Sequence, residues 1–330
     1  MTTETANRVQ LAAGHWKPRF VANGIDANDF DRVLSETVEW RDWAPNWMRV
    51  GDEHRAIADE AERSGHLVTA ADAYQRAAWC YHLGKFLWFE DRALHDDLRE
   101  RTVATYAKAL PRLDPPGRRI EAPFEGAIIP GILRAPRGAS RPPVVILDGP
   151  GQGENAPRFP IRADWSSVIG PLLDHVSASE RGLDLGRVGL MGISMGGIYG
   201  PRAAAKEKRL RAIVALAGPY DLSECWAALN PLTKDGYVFY THSRDEAEAF
   251  ERSKALTLRG VLRDVTCPLL VIHGGKDRLF PPDQAERIVR EAPNATLLLY
   301  PEGNHVCNNI PYKYRPAMAD WMAKRLGAGR

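Results

Sequence analysis

Val188-Gly189-Leu190-Met191-Gly192-Ile193-Ser194-Met195-Gly196 is an apolar run that ends in a serine fenced by glycines. The run suits a strand, and the small residues after it, Gly197, Gly200, Ala203 and Ala204 among them, suit a helix. A G-x-S-x-G pattern at a strand-to-helix junction is a nucleophile elbow. The serine takes an unfavourable backbone conformation there, and its neighbours must be tiny for the turn to close. The helix N-terminus beneath the serine favours a developing oxyanion, with the backbone N–H of Met195 as one donor. The bland use of the same residues is a plain tight turn.

A serine hydroxyl is a weak nucleophile at neutral pH, so a base and an orienting acid are expected downstream, in the order serine, acid, histidine. Two apolar runs end suitably. Leu269–His273 leads into Gly274-Gly275-Lys276-Asp277, and Leu297–Tyr300 into Pro301-Glu302-Gly303-Asn304-His305. Loops at the carboxyl ends of parallel strands are where such sheets hold their sites. Ser194 is therefore the expected nucleophile, His305 the base, and Asp277 the group that holds the imidazole. Asp283, after Pro281-Pro282, is a rival acid better explained by a helix start. His273 falls inside a strand and suits a packed core. Tyr220 and Glu224, past the run Ala212–Ala217, are weaker candidates for substrate contact, a solvated loop being the alternative for Glu224. Cys307 flanks His305 and is expected to be an inert buried thiol.

Working outward, the rhythm after residue 115 is strand, turn, helix. Apolar runs at Pro143–Leu147, Arg187–Ile193, Arg211–Ala217, Pro268–His273 and Thr296–Tyr300 have the character of strands buried on both faces. Helical stretches at Ala163–Ser177, Met195–Lys206, Asp283–Glu291 and Arg315–Leu326 separate them. Glu125–Leu133, with Pro130-Gly131 inside it, suits an edge hairpin. The expectation is an α/β domain over residues 116–330, a mostly parallel sheet with helices on both faces. Residues 222–261 interrupt the alternation as a possible additional lid segment. Before Asp114-Pro115-Pro116-Gly117 the chain from Asp29 to Leu113 reads as helix, giving an N-terminal all-helical module over residues 1–115. It holds Trp40, Trp43, Trp47, Trp79 and Trp88, five of the nine tryptophans, which suit either an aromatic pocket over the site or the module's own core.

Composition excludes several classes. The 330 residues carry 44 Lys plus Arg against 42 Asp plus Glu, with no basic stripe, so no nucleic-acid partner is expected. Runs such as Val144–Leu147 are too short to span a bilayer, and the polar start Met1–Asn7 has no apolar signal segment. The four cysteines are widely spaced without a C-x-x-C pair, which suits reduced thiols in a cytoplasm and no metal site.

With these residues in hand, the chain resembles the α/β-hydrolase superfamily with an N-terminal helical cap. More narrowly it is similar to the 2,6-dihydroxypseudooxynicotine hydrolase group and to the C–C hydrolases that shorten polyketide chains. The matching text is Asp148-Gly149-Pro150-Gly151-Gln152-Gly153-Glu154, Gly192–Gly197, His273–Asp277 and Gly303–Cys307, with a cap of fitting character from Phe20 to Leu110. The resemblance implies hydrolysis of a carbon–carbon bond next to a ketone in an aromatic or polyketide-like small molecule. It implies no cofactor and a homodimer. A carboxylesterase or thioesterase is the alternative within the same chemistry. One departure stands out. In such hydrolases the strand matching Val144–Leu147 is followed by an oxyanion loop, a helix and a further strand before text like Asp148–Glu154. Here Leu147 runs straight into Asp148, and only 47 positions separate Leu147 from Ser194. A strand–helix unit of about 25 residues is missing. Either the loop from Gly149 to Gly153 has become a substitute, with the Gly149 N–H as second oxyanion donor, or the hole is incomplete. In the second case the chain is a catalytically impaired binding protein.

Overall fold

The computed structural model describes residues 3–134, 144–181 and 183–327. Five helices come first: α1 (Thr3–Ala22), α2 (Ala27–Glu36), α3 (Trp43–Arg63), α4 (Leu67–Phe86) and α5 (Arg92–Ala109). α3 and α4 form an antiparallel pair in which Gly51 lets the Tyr81 ring approach and Gly84 lies against Trp47 and Leu98. Trp40, Trp43, Trp47 and Trp88 are buried here, the Trp43 indole N–H donating to Leu83 O (3.2 Å) and that of Trp88 to Trp40 O (3.0 Å). Trp43, Trp47 and Trp88 thus serve packing, while Trp40, also buried, lies at the wall of a cleft.

α1 falls inside the all-helical module expected over residues 1–115, but ahead of Asp29, where the helical reading begins. Its buried residues Val9, Ala12, Ala13, Trp16 and Phe20 follow helical spacing and join a continuous core that also takes in the α/β region. Pro18 within the helix and the polar start hide that pattern.

Beyond residue 116 the strands are β1 (Gly117–Phe124), β2 (Ala127–Arg134), β3 (Val144–Leu147), β4 (Val188–Ile193), β5 (Leu210–Leu216), β6 (Leu269–Gly274) and β7 (Ala295–Tyr300). Helices α6 (Ser166–Ser179), α7 (Gly196–Lys206), α8 (Leu222–Cys225), α9 (Pro231–Tyr240), α10 (Glu246–Ser253), α11 (Pro282–Glu291) and α12 (Pro311–Leu326) intervene or follow. β1–β2–β3 form an antiparallel sheet and β4–β5–β6–β7 a parallel one, in that spatial order. No ladder joins β3 to β4 among the described residues, so the sheet is split where the sequence lacks a unit.

The split corrects two expectations. β3 and β4 are not buried strands. Val144 (54%) and Ile146 (52%) on one lip, and Met191 (41%) and Ile193 (50%) on the other, are exposed, since no strand covers them. Pro143, at the head of the anticipated strand, lies outside the described residues. The hairpin also turns elsewhere, at Glu125-Gly126, both with positive φ (45° and 72°), joining β1 to β2. Pro130 sits inside β2, whose neighbours are β1 and β3. Its carbonyl accepts from Asp148 N (3.1 Å) just past the end of β3, so the missing N–H faces that end and spares the β1 ladder.

Residues 222–261 hold α8, α9 and α10. α9 reaches α1 through an Arg8–Asp235 ion pair (2.6 Å) and α5 through Phe239, whose ring lies 4.6 Å from that of His95.

Candidate active site

Ser194 sits between β4 and α7 with φ 57°, a left-handed conformation that costs energy for a side-chain residue and marks a functional turn. Local sequence enforces it. A Cβ on Gly192 would collide with the Gly196 carbonyl, and one on Gly197 would come within 2.5 Å of Gly218 Cα. Ser194 N donates to Leu216 O (2.8 Å), which ties the turn to the end of β5.

The ends of β6 and β7 carry the other two groups. Gly275 N donates to Tyr300 O (2.8 Å) and Lys276 N to Gly303 O (2.8 Å), pinning the two loops together. Asp277 is buried. Its Oδ1 accepts from Leu279 N (2.9 Å) and Phe280 N (3.0 Å), and its Oδ2 lies 2.7 Å from His305 Nδ1. His305 Nε2 is 2.9 Å from Ser194 Oγ. Burial alone would raise the Asp277 pKa, but the neighbouring His305 and His273 and the hydrogen bonds it accepts hold it below its ordinary value. It is thus a carboxylate, and it directs the Nδ1 proton toward itself, leaving Nε2 to accept from serine. The residues after His305, Val306 (φ 61°) and Cys307 (φ 53°), are also left-handed, so the histidine rests on a tightly specified loop. The Phe280 ring meets the His305 ring edge-on at 5.4 Å.

The structure places the remaining candidates as follows. No described acceptor takes the Met195 N–H, which opens α7, while the Tyr237 hydroxyl lies 2.8 Å from Met195 Sδ. The Gly149 N–H already has a partner. It donates to Gln152 Oε1 (3.2 Å), and the glycine lies under the Trp165 ring, so the loop after β3 closes on itself. Glu224 is not presented to the serine either. Its carboxylate is taken by the guanidiniums of Arg259 and Arg287. The Tyr220 hydroxyl donates to Glu291 (2.8 Å) and its ring lies 4.0 Å from the Arg287 guanidinium. Asp283 lies in the first turn of α11, as a helix start requires. His273 is a core histidine whose Nε2 donates to Phe280 O (2.8 Å). Burial pushes the Cys307 thiol up to about 12, so it is inert.

His15, on α1, was missed. Its ring lies 6.3 Å from that of His305 at an interplanar angle of 25°. A spatial neighbour from the opposite end of the chain leaves no local motif. A cleft of about 840 Å³ opens between α1, the start of α5 and α9, lined by Arg8, Trp40, Phe89, Arg92, Asp235 and Phe239 but by none of Ser194, Asp277 and His305.

Among known proteins, the model of the prolyl oligopeptidase family matches residues 172–329. The 2,6-dihydropseudooxynicotine hydrolase of Paenarthrobacter nicotinovorans is 29% identical over 94% of this chain and 92% of its own. The hydrolyase poxO of Penicillium oxalicum is 32% identical over 54% of this chain and 52% of its own. The crystal structure of 2,6-dihydroxy-pseudo-oxynicotine hydrolase superposes with a TM-score of 0.86 at 27% identity, covering 95% of this chain and 96% of that one. AbyA5 shares the fold, with a TM-score of 0.75 at 20% identity over 94% of each chain.

Proposed function

We propose, from the premise that this chain is an α/β-hydrolase, that it cleaves a carbon–carbon bond next to a ketone in an aromatic or polyketide-like small molecule. The observation that carries the proposal is the unbroken hydrogen-bonded line from Ser194 Oγ through His305 to Asp277. The near full-length likeness to a dihydropseudooxynicotine hydrolase supports the choice of bond.

In this reading Ser194 Oγ attacks the ketone carbonyl as its proton passes to His305 Nε2. The tetrahedral oxyanion is held by the Met195 N–H at the head of α7. The C–C bond then breaks, its electron pair leaving with the departing carbon, and His305 returns the proton to that carbon. Water activated by His305 releases the acid from the acyl-enzyme. Asp277 fixes the imidazole tautomer throughout and stabilises the imidazolium that forms.

The oxyanion side is thinner than the triad. With the Gly149 N–H engaged by Gln152, the site lacks one backbone donor of a complete hole. Loss of one such donor typically lowers turnover about 100- to 1,000-fold. We assign the helices of residues 1–115 as the cap, supported by α1 reaching His305, and residues 222–261 as a lid, supported by the contact of Tyr237 with Met195. The four cysteines are free, which supports a reducing setting. A homodimer rests on the likeness alone and is read by light scattering. Labelling with a fluorophosphonate, read by intact mass beside Ser194→Ala, tests the centre of the proposal. Stoichiometric labelling lost in the variant is expected, and a folded protein that takes no label refutes it. Aryl 1,3-diketones set against aryl esters then separate C–C from ester hydrolysis.

A further inference from the structure

The proposed reaction makes a demand that Ser194, His305 and Asp277 do not meet. When the C–C bond breaks, negative charge collects on an oxygen of the leaving fragment, as an enolate or phenolate. A hydrogen-bond donor at that oxygen lowers the barrier. The leaving carbon must lie against His305 Nε2, which protonates it, so the donor must lie beside the His305 ring.

α1 brings one there. His15 is half-buried, its ring nearly parallel to that of His305 (25°, centroids 6.3 Å) and braced edge-on by Trp16 at 4.5 Å. Among the described residues no hydrogen bond engages the imidazole. Burial above all, then the neighbouring His305, lowers its pKa to about 4, against a smaller opposing pull from Asp277, with Arg19 and Arg278 adding to the fall. At neutral pH it is therefore an uncharged N–H donor that does not compete with His305 for the proton. Arg19, one turn further on the same face, lies 4.7 Å from the Phe86 ring and 5.5 Å from that of Trp16, with no carboxylate within 4.0 Å among the described residues. Its charge adds positive potential on the side where the enolate forms.

We propose that His15 is a substrate-contacting residue that donates a hydrogen bond to the enolate or phenolate oxygen of the leaving fragment. This rests on the C–C reading of the site. The step balances. The Ser194 proton moves to His305 Nε2, the C–C bonding pair passes into the leaving fragment and onto its oxygen, and the Nε2 proton ends on the leaving carbon. His15 loses and gains nothing.

The test compares wild type, His15→Ala and His15→Gln, which keeps an N–H donor. Three readouts are hydrolysis of 1-phenylbutane-1,3-dione, hydrolysis of 4-nitrophenyl acetate, and the rate of Ser194 labelling by a fluorophosphonate, with thermal melting to check the fold. In His15→Ala, kcat for the diketone falls about 100-fold with KM little changed, because the bond strengthens only as charge develops. The ester, whose leaving group holds its own charge, falls at least ten times less, and Gln restores the diketone to within about 10-fold of wild type. A parallel fall in all three readouts, or Gln failing like Ala, would make His15 a structural wall and overturn the proposal. Unchanged diketone turnover in His15→Ala overturns it while the Ser194 reading stands. A wild type that labels yet leaves the diketone intact removes the C–C reading and this role together, and one that does not label removes the triad reading as well.

Discussion

The two sides of the split sheet differ in packing and in what they contribute. On one side β5 and β6 run through the core, with Ile213, Leu216 and Ile272 fully buried, and all three triad residues leave from the ends of β4, β6 and β7. On the other, β3 alternates exposed and half-buried residues, and the loop after it turns its Gly149 N–H onto its own Gln152. The line Ser194–His305–Asp277 survives the missing unit because no residue in it leans on β3. On the other side the one backbone N–H considered as a second oxyanion donor, that of Gly149, is engaged by Gln152. The proposed nucleophile and the proposed oxyanion loop thus lie on opposite sides of the split, so their contributions can be tested separately.

The largest predicted effect falls on the packed side. Ser194→Ala and Asp277→Asn should each cost about 10,000-fold in kcat, the first with the melting temperature close to wild type and the second with a lower one because a buried, hydrogen-bonded carboxylate is lost, read by steady-state kinetics and calorimetry. Equal losses from changes around Gly149 would erase the contrast. Next, Ile213→Ala in β5 should lower unfolding free energy by about 2–5 kcal/mol, whereas Ile146→Ala on the lip of β3 should cost under about 1 kcal/mol, both measured in urea. Similar values would mean that the lip is covered in solution.

A pH scan extends the contrast to the helices. Burial lowers the pKa of His15 to about 4, that of His95 to about 3 and that of His82 well below 6.5. These three are neutral when folded, but protonate near pH 6.5 when unfolded. Stability is therefore complete above about pH 6.5 and is lost as pH falls toward 4. Asp277 runs the same way at lower pH, its contribution present above its ordinary value of 3.8 and lost as pH falls through the depressed one. Melting followed by circular dichroism should show the upper step, and His82→Gln should shrink it. The smallest effect belongs to Ile193→Thr on the exposed lip of β4. It should shift stability by no more than about 0.5 kcal/mol, and light scattering would show less self-association if bare edges pair between molecules.

The triad was legible because each part is local. A serine between glycines after an apolar run, and an acid and a histidine just past two more, are patterns of adjacent residues. The missing unit was legible too, as a shortage of chain between Leu147 and Ser194, but not that its absence leaves two separate sheets. Illegible features depend on distant partners. Glu224 follows a strand end as expected, but its direction is set by Arg259 and Arg287, far along the sequence. His15 is an ordinary helical residue until α1 lays it against His305. Trp43 and Trp47 of α3 suit a pocket or a core equally well in the sequence, and only the three-dimensional packing shows the core claiming them.

α1 is fastened to the rest by apolar side chains and polar ties, among them the Arg8–Asp235 pair and, just past its end, the bond from Arg315 to Asn23. Proteins open locally, element by element, at free energies that can lie below that of the core strands. Heat that loosens α1 would withdraw His15 while the strands bearing Ser194, Asp277 and His305 stay folded. Catalytic half-life and melting point then become separate properties of this enzyme, and shelf life would follow the fastening of one helix.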